Sequence, residues 1–189
     1  MKILVANLGT TSFKYRLYDL PSEQLLARGG VERIGAENSR TFVQQGGHAA
    51  EAVAPVPNHA AAVSACLGQL TDPAHGSLRR PDELAAIGFK AVHADGVTGA
   101  QWVDERVLAA MKAFNAVAPA HNPPYLAAIR QLRAAFPALP LVAAFETGFH
   151  ATTPAGHALY AVPHEWAALG IRRYGFHGAS HRYIAERMA

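Results

Sequence analysis

Leu139-Pro140-Leu141-Val142-Ala143-Ala144-Phe145 is a continuous apolar run, and Glu146-Thr147-Gly148 follows it directly. An uncharged run of this length reads as a strand buried on both faces, the pattern of a central, parallel strand. A carboxylate at the end of such a strand commonly organises a site by metal or proton handling; its plainer use is as a helix-capping or solvated acid. Upstream, Asn122 with Pro123 marks a helix start, Leu126, Ile129, Leu132 and Phe136 recur at helical spacing, and Pro137 ends the helix. Before that, Asp104 caps a helix carrying Val107, Leu108, Met111 and Phe114, and Leu84-Ala85-Ala86-Ile87-Gly88-Phe89 leads into a strand at Lys90-Ala91-Val92-His93.

The amino-terminal part is richer in strands. Lys2 to Ala6 and the alternating Phe13 to Tyr18 bracket a turn, and Gln24 to Ile34 reads as a third strand with a glycine bulge at Gly29-Gly30. Residues 37–56 are polar and rich in Gly and Ala, the pattern of one weak strand and a loop. Asn58 then caps a helix whose apolar face is Ala62, Val63, Cys66, Leu67 and Leu70. Strands first, then helices alternating with strands, predict an α/β chain: a mixed sheet with flanking helices over residues 1–150. A second unit begins near Ala151, with a short strand expected at Leu159-Tyr160-Ala161-Val162.

Composition removes several classes of function. A chain of 189 residues, half of them hydrophobic and 16% charged, has enough apolar surface for a core and is not disordered. No apolar run approaches the ~20 residues that span a bilayer, and no charged-then-apolar leader pattern opens the chain. The net charge of +3 is not concentrated: Arg79-Arg80 and Arg172-Arg173 are the only adjacent basic pairs. Neither a membrane nor a nucleic acid is therefore an expected partner. The single cysteine, Cys66, cannot form an internal disulfide; it fits a reducing compartment, and a cytoplasmic location is expected.

Two tracts invite chemistry. Asn7-Leu8-Gly9-Thr10-Thr11-Ser12 is a tight turn between two strands, rich in N–H and O–H donors that can cradle a phosphate; taken alone it is equally a polar hairpin turn. Tyr174-Gly175-Phe176-His177-Gly178-Ala179-Ser180-His181 precedes an apolar-periodic segment, with Ser180 as the expected N-cap. That arrangement would set His177 and the Gly178 and Ala179 amides at the positive end of a helix, a place that suits an anion. Taken alone it is also an ordinary loop-to-helix junction with two surface histidines.

Together the tracts resemble the acetate kinase family, carboxylate kinases of the sugar kinase, heat-shock protein 70 and actin superfamily. Asn7-Leu8-Gly9-Thr10-Thr11-Ser12-Phe13-Lys14 is similar to that family's Asn-x-Gly-Ser-Ser-Ser-x-Lys signature, and Ile171 to His181 to its second signature. Ala118-Pro119-Ala120-His121-Asn122-Pro123 and Phe145-Glu146-Thr147-Gly148-Phe149-His150 lie between them in family order. The resemblance covers the whole chain. It implies a ribonuclease H-like first domain over residues 1–150 and the opening of a second over 151–189, which stops within a helix at Ala189 with the adenosine pocket and a catalytic arginine still to come. It implies ATP and Mg²⁺ as cofactors, a short-chain carboxylate as acceptor, and a homodimer for the full-length protein.

By the same resemblance Asn7 helps hold the metal, Thr10, Ser12 and Lys14 hold the nucleotide phosphates, Glu146 stands for the catalytic aspartate, and His177 and His121 are active-site histidines. Lys90 stands where the family has its substrate-binding arginine. Here the sequence departs most: Lys90-Ala91-Val92-His93-Ala94-Asp95 replaces Arg-x-Val-His-Gly-Gly, losing the bidentate fork and adding a negative charge. Glu146 is one methylene longer than aspartate. The alternatives are a non-catalytic phosphate-binding or partner domain of the same fold, or a kinase for another short carboxylate such as propionate or butyrate.

Overall fold

A computed structural model describes residues 1–20 and 22–189 of the chain. Strands β1 (Lys2–Leu8) and β2 (Ser12–Asp19) form an antiparallel hairpin, with Leu8 opposite Phe13 and Lys2 opposite Asp19. Strand β3 (Gln24–Glu32) adds to β2. Its irregularity lies between the Leu17–Ala27 and Tyr18–Leu25 pairs, not at Gly29-Gly30 as the sequence suggests. The two glycines stay in register because strands crowd them: a Cβ on Gly29 would meet the Phe42 carbonyl and the Tyr15 ring, and one on Gly30 the Phe13 carbonyl.

Residues 37–56 hold two strands, β4 (Arg40–Gln45) and β5 (His48–Val53), where one had been expected. Gly46 and Gly47, both with positive φ, make the two-residue turn between them. A Gly-Gly pair adopts that mirror-image turn without strain.

Chain reversal by helices begins at α1 (His59–Leu70), capped by the Asn58 side chain, which accepts from the Ala61 N–H at 2.9 Å. Strand β6 (Leu84–Ala91) then runs parallel to β1, and β7 (Ala100–Trp102) is a short edge strand. Asp104 caps α2 (Glu105–Ala113) through the Val107 N–H at 2.8 Å. Helix α3 (Asn122–Ala135) feeds β8 (Leu141–Phe145), which pairs parallel with β6 and antiparallel with β7. The sheet order is β5-β4-β3-β2-β1-β6-β8-β7, a mixed sheet as expected.

β8 is one strand from the edge and not central, and its faces differ: Leu141, Ala143 and Phe145 are buried while Ala144 is exposed. Alternation was hidden in the sequence because both sets of residues are apolar. The same alternation runs through β1 and β6. Leu4, Ala6, Leu8, Ile87, Phe89 and Ala91 join one core with the apolar faces of α1, α2 and α3. Burying each of the larger of these side chains contributes about 1.5–3 kcal/mol, so this face supplies most of the folding energy. Cys66 lies in that core, and burial pushes its thiol up to about 12. The other sheet face shows Val5, Asn7, Lys14, Arg16, Lys90 and Ala144 to solvent.

After β8 come a 3-10 turn (Gly148–His150), the short α4 (Ala155–Ala158), a second 3-10 segment (His164–Leu169) and α5 (Gly178–Met188). No strand forms at Leu159–Val162; Tyr160 and Val162 are exposed, and a strand without a neighbour has nowhere to place its backbone donors and acceptors. Ser180 does not cap α5. His177 does so by backbone, three residues earlier, and its carbonyl accepts from the Ser180 and His181 N–H groups at 3.0 Å each. Among the described residues no helix is long and apolar enough to cross a membrane.

Candidate functional site

Three parallel strands end at one level. Ala6 pairs with Phe89 in the β1–β6 ladder and Ala91 with Phe145 in the β6–β8 ladder, so Asn7, Lys90 and Glu146 follow one another across the carboxyl end of the sheet. Open α/β sheets carry their ligands at this edge. The Glu146 N–H donates to the Ala91 carbonyl at 2.8 Å, which fixes the corner where β8 turns away.

The Lys90 ammonium lies 3.1 Å from Glu146 Oε1; the lysine side chain is 44% exposed, the glutamate only 8%. His177 Nδ1 approaches the same oxygen at 3.7 Å. His177 is brought there by its backbone: it has φ 57° and ψ 25°, a left-handed conformation unusual outside glycine, and Gly178 donates its N–H to the Glu146 carbonyl at 3.0 Å. A Cβ at position 178 would collide with that carbonyl, so only glycine lets α5 begin so close to the end of β8. Strained backbone held by surrounding contacts is a mark of functional positions. Thr147 follows Glu146 inward, its hydroxyl bonded to that of Thr98 at 2.8 Å.

The opening turn is also held from outside. The Gly9 N–H donates to the Ser12 carbonyl at 2.8 Å, and the Gly9 carbonyl lies 2.8 Å from His59 Nε2 at the start of α1. Thr10 is exposed at the tip and Ser12 half-buried. Lys14 stands opposite Asn7 in the β1–β2 ladder, but its ammonium is paired with Glu32 at 2.8 Å. The Lys14 hydrogen bond, joined by Arg40, holds the Glu32 carboxyl below the usual carboxylate range.

His121 is the residue before α3, exposed and with its ring edge-on to that of Tyr125 at 6.5 Å. Among the described residues it makes no ion pair or hydrogen bond with Lys90, Glu146 or His177. It borders the cluster through Tyr125, whose buried phenol is pushed above its ordinary pKa by desolvation and feels the charges of both Lys90 and Glu146. Asn122, fully buried, donates from its amide to the carbonyls of His93 and Met111 at 2.9 and 2.8 Å, tying the end of β6 to α2 and α3. His93 is buried among the rings of Phe114, Tyr174 and Phe176, and desolvation pulls its pKa down against the opposing pull of Asp95.

Tyr125 and His59 escaped the sequence reading. Tyr125 lies four residues after His121, one helical turn, which was a usable signal. His59 had none, since its partner Gly9 is fifty residues away. The cluster borders a cleft of about 370 Å³ lined by Ala144, Gly148, Phe149, Gly178, Ala179 and Arg182. A larger hollow of about 520 Å³ lies on the open sheet face over β2 to β5, with Lys14 at its rim. It is shallow and remote from Glu146, and the geometry at the strand ends is the stronger guide.

A mixed sheet of this order with a polar cluster at the ends of its parallel strands defines the class: an α/β, ribonuclease H-like chain. The model of the acetokinase family matches residues 2–189, and the chain belongs to that family. It is 42% identical over 190 residues to an acetate kinase of Carboxydothermus hydrogenoformans, covering 99% of this chain and 48% of that protein. The crystal structure of Porphyromonas gingivalis acetate kinase superposes with a TM-score of 0.85 at 33% identity, over 99% of this chain and 48% of that one. A propionate kinase from Francisella tularensis gives 0.83 at 32%, over 98% of this chain and 47% of that one. The chain spans about half the length of the relatives it matches.

Proposed function

We propose that this chain carries the phosphate-side and acceptor-side groups of an acetate kinase-like enzyme, one that transfers the γ-phosphoryl group of ATP reversibly to a short-chain carboxylate, giving acyl phosphate and ADP. The observation that supports it most is the meeting of Lys90, Glu146 and His177 beside Asn7 at the ends of the parallel strands. Phosphoryl transfer asks for alignment and charge stabilisation more than for covalent chemistry. Lys90 supplies a cation for the acceptor carboxylate. His177 presents an imidazole to the oxygens of the group in flight, and one oxygen of Glu146 lies within reach of both Lys90 and His177. The turn at Asn7, Thr10 and Ser12 offers donors to the nucleotide phosphates, with Lys14 reaching them once it leaves Glu32. His121, one turn from Tyr125, lines the same end of the sheet.

The donor set fits Mg²⁺. Asn7, Thr10, Ser12 and Glu146 offer hard oxygen ligands, while the described residues contain no group of three or more His, Cys, Asp or Glu poised around a metal. Mg²⁺ takes one or two ligands from a protein and completes its shell with phosphate oxygens and water. Bound there, it would neutralise charge on the β- and γ-phosphates. In this reading residues 1–150 form the first domain and 151–189 open a second, and the longer protein is a cytoplasmic homodimer that binds neither nucleic acid nor membrane.

The test is a coupled assay with ATP, Mg²⁺ and acetate, propionate or butyrate. A protein extended to the length of the relatives should turn over; the 189-residue chain alone should not. His177→Ala in the longer protein should lower kcat by about 10²–10³-fold, the usual loss when one electrostatic stabiliser is removed. Failure of the longer protein on all three acids would favour a second reading, a non-catalytic domain of the same fold, which draws on the neutralisation of Lys90 by Glu146.

A further inference from the structure

Lys90 offers one ammonium, and Glu146 already holds it at 3.1 Å. The two side chains can meet because of the ladder. Lys90 is opposite Ala144, Glu146 lies two residues further on, so both project from the same sheet face, and the methyl of Ala144 leaves the space between them clear. A guanidinium could hold one carboxylate on each of two edges, since it has five donors in a planar fork; an ammonium is a point charge that must be divided or surrendered. The burial is unequal as well. Glu146 is nearly enclosed and needs a cation, whereas Lys90 is half in solvent on a flexible stem and can swing.

We propose that Glu146 is an internal competitor for Lys90: its carboxylate takes the place that an acceptor monocarboxylate must take, so acceptor binding is an exchange of one carboxylate for another. This rests on the reading of Lys90 as the acceptor anchor. His177 completes the exchange. Its Nδ1 lies 3.7 Å from the same Glu146 oxygen, so an imidazole that turns toward Glu146 can replace Lys90 as its partner. The acceptor is thereby selected for being a small anion able to enter beside Glu146, and its affinity is set by the strength of an internal ion pair as much as by its own contacts.

The test is binding of fluoroacetate to the 189-residue chain, followed by ¹⁹F NMR, with circular dichroism confirming the fold of each variant. Glu146→Gln keeps the shape of the side chain and removes the competing charge. It should bind fluoroacetate at least about tenfold more tightly than the parent, a change of about 1.4 kcal/mol. Glu146→Asp, shorter by a methylene, should fall between the two. Adding Lys90→Met to Glu146→Gln should abolish the gain. A parent with no measurable binding beside a Glu146→Gln variant that binds through Lys90 also supports the exchange. The proposal is overturned if Glu146→Gln binds no more tightly than the parent, if neither binds, or if the gain survives Lys90→Met. Should the longer protein turn over acetate while Glu146→Gln leaves fluoroacetate binding unchanged, the competition alone fails; should binding tighten without any turnover in the longer protein, the kinase reading fails instead.

Discussion

Leu4, Leu8, Phe13, Leu17, Ile87 and Ile129 have lost all or nearly all of their accessible surface, while in the last forty residues Leu169 is 75% exposed and Met188 83%. After Ala151 only Ala158 and Gly178 are buried. The sheet and its three helices are held by a continuous apolar core. The carboxyl-terminal stretch meets the body through few contacts: Gly178 to the Glu146 carbonyl, His150 Nε2 to the Phe176 carbonyl at 2.9 Å, and the Tyr174 and Phe176 rings against His93. The candidate site straddles the two. Lys90 and Glu146 belong to the well-packed body, and His177 belongs to the lightly held stretch. Positional precision at the site is thus divided: two groups are set by the core, and the third by a glycine hydrogen bond and one left-handed residue.

This contrast can be broken by mutation. Ile87→Ala empties a fully buried position at the middle of the sheet and should cost about 2–5 kcal/mol in chemical denaturation, with a single cooperative transition. A loss below 1 kcal/mol would mean that the body is not the rigid partner. Asn122→Ala removes both amide hydrogen bonds, leaving the His93 carbonyl without its donor and the Met111 carbonyl with the Phe114 N–H alone. About 2–3 kcal/mol should be lost, seen as a lower urea midpoint at unchanged slope.

Acid should act on the seam between the regions, where His93 packs against Tyr174 and Phe176. Its folded pKa is depressed by burial, so the folded state favours the neutral ring. The associated stability is complete above the unfolded value of about 6.5 and is lost as pH falls from there through the folded value. Thermal melts from pH 7.5 to 5 should show this slope in the parent and a flatter one in His93→Phe; parallel slopes would remove His93 as the cause. The smallest effect belongs to Leu169→Ser, whose side chain is already in water. A change within about 0.5 kcal/mol is expected, and a larger one would show that the exposed stretch is not lightly held.

Much of this was legible beforehand. Asn58 and Asp104 announced their helices because a capping side chain acts on a backbone group only three residues away. The strand before Glu146 was visible in its apolar run, but its depth in the sheet was not, because alanine on an exposed face looks the same as alanine in a core. The β4–β5 hairpin was missed although Gly46-Gly47 is a recognised signal; polar neighbours such as Gln44, Gln45 and His48 concealed the alternation. Ser180 was misread because the start of α5 is decided by Gly178 meeting Glu146, a contact across the fold. For the site, the motifs named Asn7, Lys90, Glu146 and His177 one by one. That Lys90 and Glu146 would pair, and that Lys14 would turn to Glu32, depends on strand register, which a single sequence does not encode locally.

The one thiol of the chain gives the body a built-in clock. Cys66 lies wholly inside the core on the buried face of α1, and burial pushes its thiol up to about 12, so a reagent such as iodoacetamide meets almost no thiolate while the body is closed. Alkylation then proceeds only through openings that expose α1, and when reclosing is fast its rate reports their equilibrium population. Fraying at the carboxyl-terminal helix leaves that rate untouched, so one mass measurement over time separates motion of the lightly held stretch from opening of the sheet.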